Sequence, residues 1–261
     1  LKDAQALGYA ESDPAADVEG SDAADKIAIL SGLAFGGAIN RSHIPTTGIN
    51  HLEAVDVNYA RKLGYGIKLL AISEKDKAQS NTEGSQPLSI WVEPTLVPED
   101  NPLAGVNGVN NAILVEGNPI GQVMFFGPGA GSGPTASAVV ADILNIAGIQ
   151  SMSENNKFNL DPLLSAKSWR SCHVAEKKQI TKKNYIRLIA KDSPGVIGEI
   201  GTIFGQKKIS IESIVQFDVN DKEAEIVVIT HKIKQGQLEE ALKEIENLSQ
   251  VKRIAATLGC L

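Results

Sequence analysis

The chain has 261 residues, of which 43% are hydrophobic and 21% charged, with a formal net charge of −6. This composition is typical of a soluble protein with one large or two ordinary domains. The acidic balance and the lack of a long Lys/Arg cluster argue against nucleic acid or an anionic membrane as the main partner and favour a small molecule. Because the sequence shows no spanning helix, no secretory pattern and no cysteine spacing for a metal, we expect a cytoplasmic protein.

The first informative stretch is AESDPAADVEGSDAADK, residues 10–26, which has six carboxylates and ends in Lys26. We predict a helix from Ala23 with Asp22 as its N-cap, which places Asp22 and Lys26 on one face. Since no charge follows before Arg41, we expect this helix to be buried, with Lys26 at its mouth. A lysine balanced between burial and nearby carboxylates suits proton transfer, but a simple ion pair fits the same spacing. The acids lack the order of a calcium loop, so no metal site is predicted.

The middle of the chain is predicted to alternate helix and strand. EAVDVNYARKLG (53–64) has helical spacing and ends at a glycine suited to a C-cap, and IKLLAIS follows as a short buried strand. Three stretches rich in β-formers come next: LSIWVEPTLVP (88–98), NNAILVEG (110–117) and PIGQVMFFG (119–127). We expect these three to pair consecutively.

A glycine-rich turn then joins a strand to a helix in FFGPGAGSGPTASAVVADIL. Gly127 and Gly129 are followed by Ser132 where a third glycine would complete a dinucleotide fingerprint, so this is not the Rossmann motif. Its N–H groups can still approach a flat or anionic ligand, because glycines remove the side-chain barrier. A tight turn that packs helix against sheet explains the same residues.

The last part of the chain is predicted to be a small βαββαβ module. Residues 151–183 lack sustained periodicity and are interpreted as a linker, after which strands and helices alternate over 184–261 in the split βαβ order of ferredoxin-like modules. The turn Asp192-Ser193-Pro194-Gly195 opens the first helix of the module, so its N–H groups could receive a ligand carboxylate. An ordinary strand-to-helix turn would look the same.

Several long motifs in order resemble homoserine dehydrogenase over essentially the whole chain: GYAESDPAADVEGSDAADKIAIL, LGYGIKLLAI, VEPTLVP, NPLAGVNGVNNAILVEG and GPGAGSGPTASAVVADI. The C-terminal module with KDSPGVIGEIGTIF resembles an ACT domain. The resemblance implies an α+β protein: a mixed-sheet substrate and dimerisation domain over 1–150 with helices on one face, the linker 151–183, and a ferredoxin-like ACT domain over 184–261. It implies NAD(P)-dependent interconversion of L-aspartate 4-semialdehyde and L-homoserine, in the biosynthesis of threonine, methionine and isoleucine.

The resemblance also implies roles for individual residues. Lys26 matches the lysine that exchanges a proton with the substrate oxygen, while Glu11 and Asp22 match acids that bind substrate. Asp17 falls on a further acidic position of the same motif. Gly129 and Gly131 match the loop near the nicotinamide of NADP or NAD, with Gly131 the better candidate. For the ACT domain, the implied effector is threonine, with ligand sites where ACT units pair. Asp192, Gly195 and Val196, at the turn described above, are the expected contacts, and a homodimer or homotetramer is expected.

One departure from the family pattern limits these expectations. Family members begin with a Rossmann domain that binds most of the cofactor, and no such motif occurs in this sequence. Hydride transfer requires the cofactor close to the aldehyde carbon, so we expect little activity from this chain alone. Truncation is favoured over a domain supplied by another chain. The competing hypothesis is a non-catalytic module that senses amino acids through its ACT domain.

Overall fold

The computed structural model describes residues 13–75, 87–153, 170–220 and 223–261, which fall into two compact units. The first unit is Leu1–Ala15 with Asp100–Arg170, and the second is Ala16–Glu99 with Ser171–Leu261. Residues 154–169 of the predicted linker lie outside the described residues. None of the helices in the described ranges has the length and apolar character needed to cross a membrane.

The described ranges contain both helices and strands. The helices are α1 (Ala15–Val18), α2 (Ser21–Phe35), α3 (Ala54–Lys62), α4 (Ser132–Ser153), α5 (Val196–Gln206) and α6 (Gln235–Glu246). The strands are β1 (Gly37–Ala38), β2 (Tyr65–Lys75), β3 (Leu88–Pro98), β4 (Asn110–Gly117), β5 (Gly121–Pro128), β6 (Arg170–Ser171), β7 (Thr181–Lys191), β8 (Ile211–Asn220), β9 (Glu223–Thr230), β10 (Ile233–Lys234) and β11 (Val251–Cys260). Short 3-10 helices occupy Arg41–His43, Pro102–Gly105 and Lys177–Gln179.

The first unit contains the hairpin of β4 and β5, followed by the long helix α4. The two strands pair antiparallel, with Ile113 opposite Phe125 and Val115 opposite Val123. Both strands were predicted, but the expectation that β3 pairs with the next strand along the chain is wrong. Both edges of β3 are already occupied, by β2 on one side and β11 on the other, so β4 and β5 form a sheet of their own.

The second unit is built on a seven-stranded mixed sheet in the order β2-β3-β11-β7-β9-β8, with β10 added beside β7. The β3–β11 pair is parallel, with Thr95 opposite Gly259, whereas the other pairs are antiparallel. The side chains of Glu93 and Thr95 lie over Gly259, where an added Cβ would be 2.6 Å from Glu93 Oε1 and 2.8 Å from Thr95 Oγ1. Strands β2 and β3 of the predicted substrate domain therefore share one sheet with the strands of the C-terminal module.

The C-terminal module has the predicted βαββαβ order, formed by β7, α5, β8, β9, α6 and β11. Helices α5 and α6 cover one face of its strands, and Phe204, Leu238 and Ile245 lie fully buried between helix and sheet. Helix α6 was predicted from apolar residues at Leu238, Leu242 and Ile245; Leu238 and Ile245 are buried together with Ala241, and Leu242 is partly buried against the same core. This part of the fold is confirmed.

Helix α3 packs on the opposite face of the same sheet, where Tyr59 and Ala60 join a core with Leu96 and Tyr185. Its predicted C-terminus is confirmed, since Gly64 follows it with a φ of 82°. The strand after it differs from the prediction. It runs for 11 residues and is half-buried along most of its length, because β2 lies at the edge of the sheet.

Candidate functional site

The acidic stretch forms two helices joined by a tight turn at Gly20, whose φ is 80°. Asp17 lies on α1, and Asp22 and Lys26 lie on the first two turns of α2. Helix α2 begins at Ser21, so Asp22 is a first-turn residue and the predicted N-cap role is wrong. Glycine occupies the cap position instead, because the chain reverses there through a left-handed conformation.

Lys26 and Asp22 form the expected pair one helical turn apart, with Lys26 Nζ 2.6 Å from Asp22 Oδ2. The expectation of a buried helix with Lys26 at its mouth is wrong. The side chain of Lys26 is 65% exposed and that of Asp22 is 42% exposed. The two groups are therefore accessible to a ligand from solvent.

The burial of α2 is limited to one stripe. Ala24 packs with Ile90 and Val92 of β3, whereas Ile29 and Leu33 are 63% and 59% exposed. A helix laid on one face of a sheet covers only a stripe of its surface, so an uncharged sequence does not by itself imply burial on all sides. Asp17 is exposed, and its carboxylate has no ion-pair partner in the described part of the chain.

The segment 45–49 holds the acidic stretch against β3 through a close backbone crossing. Ile49 N–H donates to Val18 O at 2.8 Å, and Thr47 N–H donates to Val92 O at 2.8 Å. A Cβ on Gly48 would lie 2.2 Å from Val18 O, so the crossing requires glycine. Sequence reasoning missed this contact, since nothing local to Gly48 indicates which segment it meets.

A second ion pair borders the same helix, where Arg41 Nε donates to Asp25 Oδ1 at 2.7 Å. An open cavity of about 520 Å³ adjoins it, lined by residues that include Glu19, Arg41, Asn50 and His51. Asp25 is thus occupied by Arg41, while Asp22 faces Lys26. Glu11 lies outside the described residues, and within the described ranges no three His, Cys, Asp or Glu side chains are grouped to hold a metal.

The glycine-rich loop lies in the first unit, between β5 and α4. Gly131 has a φ of 116°, and its carbonyl accepts from Thr135 N–H at 3.1 Å as the helix begins. A Cβ on Gly129 would lie 2.2 Å from Asn111 Nδ2. The positive φ of Gly131 favours glycine there, whereas a larger residue at Gly129 would have to displace the Asn111 side chain. The loop presents bare backbone at a helix N-terminus, an arrangement that suits an anionic or flat ligand group.

The predicted regulatory residues lie at a cavity of about 470 Å³ at the start of α5. Asp192, Gly195 and Val196 line it, and Gly195 precedes the helix with a φ of 95°. Gln216 Nε2 donates to Asp192 Oδ1 at 3.2 Å, which connects β8 to the same cavity. The three residues therefore share one surface with the helix N-terminus.

A buried charge cluster joins the C-terminal module to α3, and sequence reasoning missed it. Arg187 on β7 is fully buried and donates to Asp56 through Nε at 2.7 Å and Nη2 at 3.0 Å. Its Nη2 lies 3.0 Å from Glu53 Oε2, and its Nη1 lies 3.5 Å from Glu225. Tyr185 also donates to Asp56 at 3.2 Å.

The electrostatics of this cluster favour its charged form. Burial opposes the charge of Arg187, but its hydrogen bonds and charge interactions with Asp56, Glu53 and Glu225 together outweigh burial and raise the pKa of the guanidinium above its ordinary value. Its hydrogen bond to Arg187 lowers the pKa of the Glu53 carboxyl. Burial, together with a hydrogen bond to Glu225, raises the pKa of Tyr59 to about 12. Contacts between residues this far apart in the chain leave no local signal in a single sequence.

Comparisons with known proteins agree over the whole chain. A family model described as homoserine dehydrogenase matches residues 1–144, and one described as ACT domain matches residues 184–250. A homoserine dehydrogenase of Synechocystis sp. is 49% identical over 261 residues, which cover 100% of this chain and 59% of that relative. One of Bacillus subtilis is 34% identical over 259 residues, which cover 98% of this chain and 57% of the relative.

Solved structures give the same result. The crystal structure of a homoserine dehydrogenase from Thiobacillus denitrificans matches with a TM-score of 0.89 and 35% identity, covering 100% of this chain and 57% of that one. That of an S. aureus homoserine dehydrogenase matches with a TM-score of 0.68 and 28% identity, covering 100% of this chain and 58% of that one. The chain thus spans less than two thirds of the length of these relatives.

Proposed function

This chain belongs to the homoserine dehydrogenase family and carries an ACT domain, and on that premise we propose that it is the substrate-binding and regulatory part of an NAD(P)-dependent homoserine dehydrogenase. The reaction is the interconversion of L-aspartate 4-semialdehyde and L-homoserine in cytoplasmic biosynthesis of threonine, methionine and isoleucine. The observation that carries the proposal is the exposed Lys26–Asp22 pair, which lies in the stretch that resembles the family's substrate acids.

The proposed roles follow from the chemistry of the substrate. The aldehyde oxygen needs a proton as it becomes an alcohol, and Lys26 is the proposed donor because its ammonium is exposed and held in one orientation by Asp22. The substrate's own ammonium group suits carboxylates, for which Asp22, Asp17 and Glu11 are proposed. Asp22 can serve both cations, since an ionised carboxylate accepts several hydrogen bonds.

The cofactor is proposed to be NADP or NAD, which supplies or accepts the hydride when bound. Gly129 and Gly131 are the residues of this chain proposed to contact it, supported by the bare backbone of their loop at the start of α4. The remaining cofactor contacts are proposed to come from a dinucleotide-binding domain outside this chain. The chain is proposed to be inactive without that domain.

Substrate affinity offers the first test, in the chain joined to a relative's dinucleotide-binding domain. We expect Asp22→Asn to raise the KM for L-aspartate 4-semialdehyde by about 10- to 100-fold, because a hydrogen bond between charged groups is lost. The matched control is Asp25→Asn, since Asp25 is on the same helix but pairs with Arg41. Steady-state kinetics with varied substrate concentration measures both.

The control should change the KM by no more than about twofold, as expected for an exposed ion pair. Equal KM values for Asp22→Asn and the unaltered protein would contradict the substrate role of Asp22. Equal increases in the two variants would show that the effect is only a general loss of negative charge.

A second function is supported by the cavity at the start of α5. Amino-acid sensing is proposed there, with threonine as the effector and with Asp192, Gly195 and Val196 as contacts. The effector carboxylate would meet the free N–H groups of the helix, and Asp192 would meet the ammonium. We expect calorimetry to detect L-threonine binding that Asp192→Ala weakens about tenfold, whereas no heat with L-threonine would contradict the proposal.

The protein is also proposed to act as a homodimer or homotetramer. The support is that the described parts of β2 and β8, at the two ends of the sheet, each leave one strand edge unpaired. Such edges are common sites of pairing between copies.

A further inference from the structure

The buried cluster around Arg187 ties a strand of the ACT domain to the helix that follows the substrate segment. Arg187 and Asp56 are both fully buried, and their paired hydrogen bonds fix the angle as well as the distance between the two groups. Removing one partner from such a pair leaves a buried charge without compensation. These two hydrogen bonds therefore connect strand β7 directly to the first turn of α3.

The first turn of α3 is also close, along the chain, to the crossing that holds the acidic stretch. Glu53 and Asp56 hold that turn, because Glu53 N–H donates to Asp56 Oδ2 at 3.1 Å. Only a few residues earlier, Ile49 and Gly48 meet Val18 at the crossing. Residues 50–52 therefore separate this turn from the crossing onto the backbone between α1 and α2.

In the other direction, β7 leads straight to the proposed effector cavity. The strand ends at Lys191, and Lys191 and Asp192 line that cavity with Ile226 of the neighbouring strand β9. Arg187 lies four residues before Lys191 on the same strand, and its partner on β9, Val227, is the neighbour of Ile226. All of these residues belong to the second compact unit.

We propose that Arg187 is a positioning residue, through which the ACT sheet sets the backbone that carries Asp17, Asp22 and Lys26. The assignment of one end as a substrate stretch and of the other as an effector cavity rests on the function proposed above. The coupling through Arg187 and Asp56 does not depend on that function. A ligand that shifts β7 would act on the substrate stretch through Asp56 and the 46–52 segment, and by reciprocity substrate would act on effector affinity. This assigns regulation to a specific contact between the two domains.

The link can be tested without any ligand by native-state hydrogen exchange on the full chain. The variant is Asp56→Asn, whose side chain has the same size and still offers an oxygen to accept from Glu53 N–H. Arg187 keeps the carboxylates of Glu53 and Glu225 beside it. We expect the amides of Thr47, Ile49 and Ala24 to exchange about tenfold faster, because local opening becomes easier. The amides of Leu238 and Ala241 in α6 should keep their rates.

The matched control is Glu212→Gln, which removes the partner of Lys183, another ion pair of β7 that has no contact with α3 in the described residues. It should leave all of these amides unchanged. Unchanged exchange at Thr47, Ile49 and Ala24 in Asp56→Asn would overturn the proposal. So would an equal acceleration of the α6 amides, since that outcome means only a general loss of stability.

A second arm adds L-threonine at saturation. In the unaltered chain it should change exchange at Thr47 and Ile49, and in Asp56→Asn it should still bind without that effect. Binding with no effect at Thr47 and Ile49 in the unaltered chain would overturn the regulatory use of the link. Failure of L-threonine to bind at all would count against the proposed sensing function, while the comparison without ligand still decides the role of Arg187.

Discussion

Lys26→Ala, in the chain joined to a dinucleotide-binding domain, is expected to lower turnover of L-aspartate 4-semialdehyde by about 10²- to 10⁴-fold, the usual contribution of a general acid. The loss should appear in kcat, because the proton is transferred in the transition state. The fold should remain intact, since the side chain is 65% exposed and its pairing with Asp22 is a surface contact. Kinetics and thermal unfolding of the same preparation measure the two effects.

The matched control is Lys252→Ala, which removes another exposed lysine paired with a carboxylate, that of Glu223 in the ACT domain. It should leave kcat at the level of the unaltered protein. Full turnover by Lys26→Ala would contradict the proton-transfer role. The Lys26–Asp22 pair would then be only an ion pair within the helix, without a catalytic role.

The second large effect is expected on stability. Arg187→Met should lower the free energy of unfolding by about 3–5 kcal/mol, because it leaves the buried carboxylate of Asp56 without its cation. Urea unfolding followed by circular dichroism measures the change. The double variant Arg187→Met with Asp56→Leu should recover most of the loss, since an apolar pair leaves no buried charge.

The same cluster predicts a dependence on pH. Arg187 lowers the pKa of Glu53 in the folded chain, so Glu53 contributes stability above its unfolded pKa that is lost as pH falls through the folded value. Arg187→Met should weaken this acid dependence. The proposed cost of an unpaired buried charge would be contradicted if Arg187→Met were as stable as the unaltered chain. It would also be contradicted if the double variant were as unstable as Arg187→Met alone.

The parts of the fold that were predictable are those that local periodicity determines. The ACT domain follows from short strands alternating with helices whose apolar residues recur at helical spacing, as at Leu238 and Ile245. The parallel pairing of Thr95 with Gly259 was not predictable, since it joins strands from distant parts of the chain. Pairing of β3 with the next strand was the natural expectation from chain order, but β3 pairs with the preceding strand β2 on one edge and with the distant β11 on the other.

The candidate site shows the same division. The pair of Asp22 and Lys26 follows from a spacing of four on a helix. The prediction that the helix carrying this pair is buried was wrong. The uncharged run after Lys26 fits a helix buried along one stripe as well as one buried on all sides. The crossing at Gly48 and the Arg187–Asp56 pair depend on tertiary contacts, which no pattern within either segment specifies.

The most direct measurement is the NADPH- or NADH-dependent formation of L-homoserine from L-aspartate 4-semialdehyde by the chain joined to a dinucleotide-binding domain of a relative. The proposed function predicts turnover by the joined protein and none by either part alone. A joined protein that is folded and binds the cofactor, yet forms no L-homoserine, would contradict it.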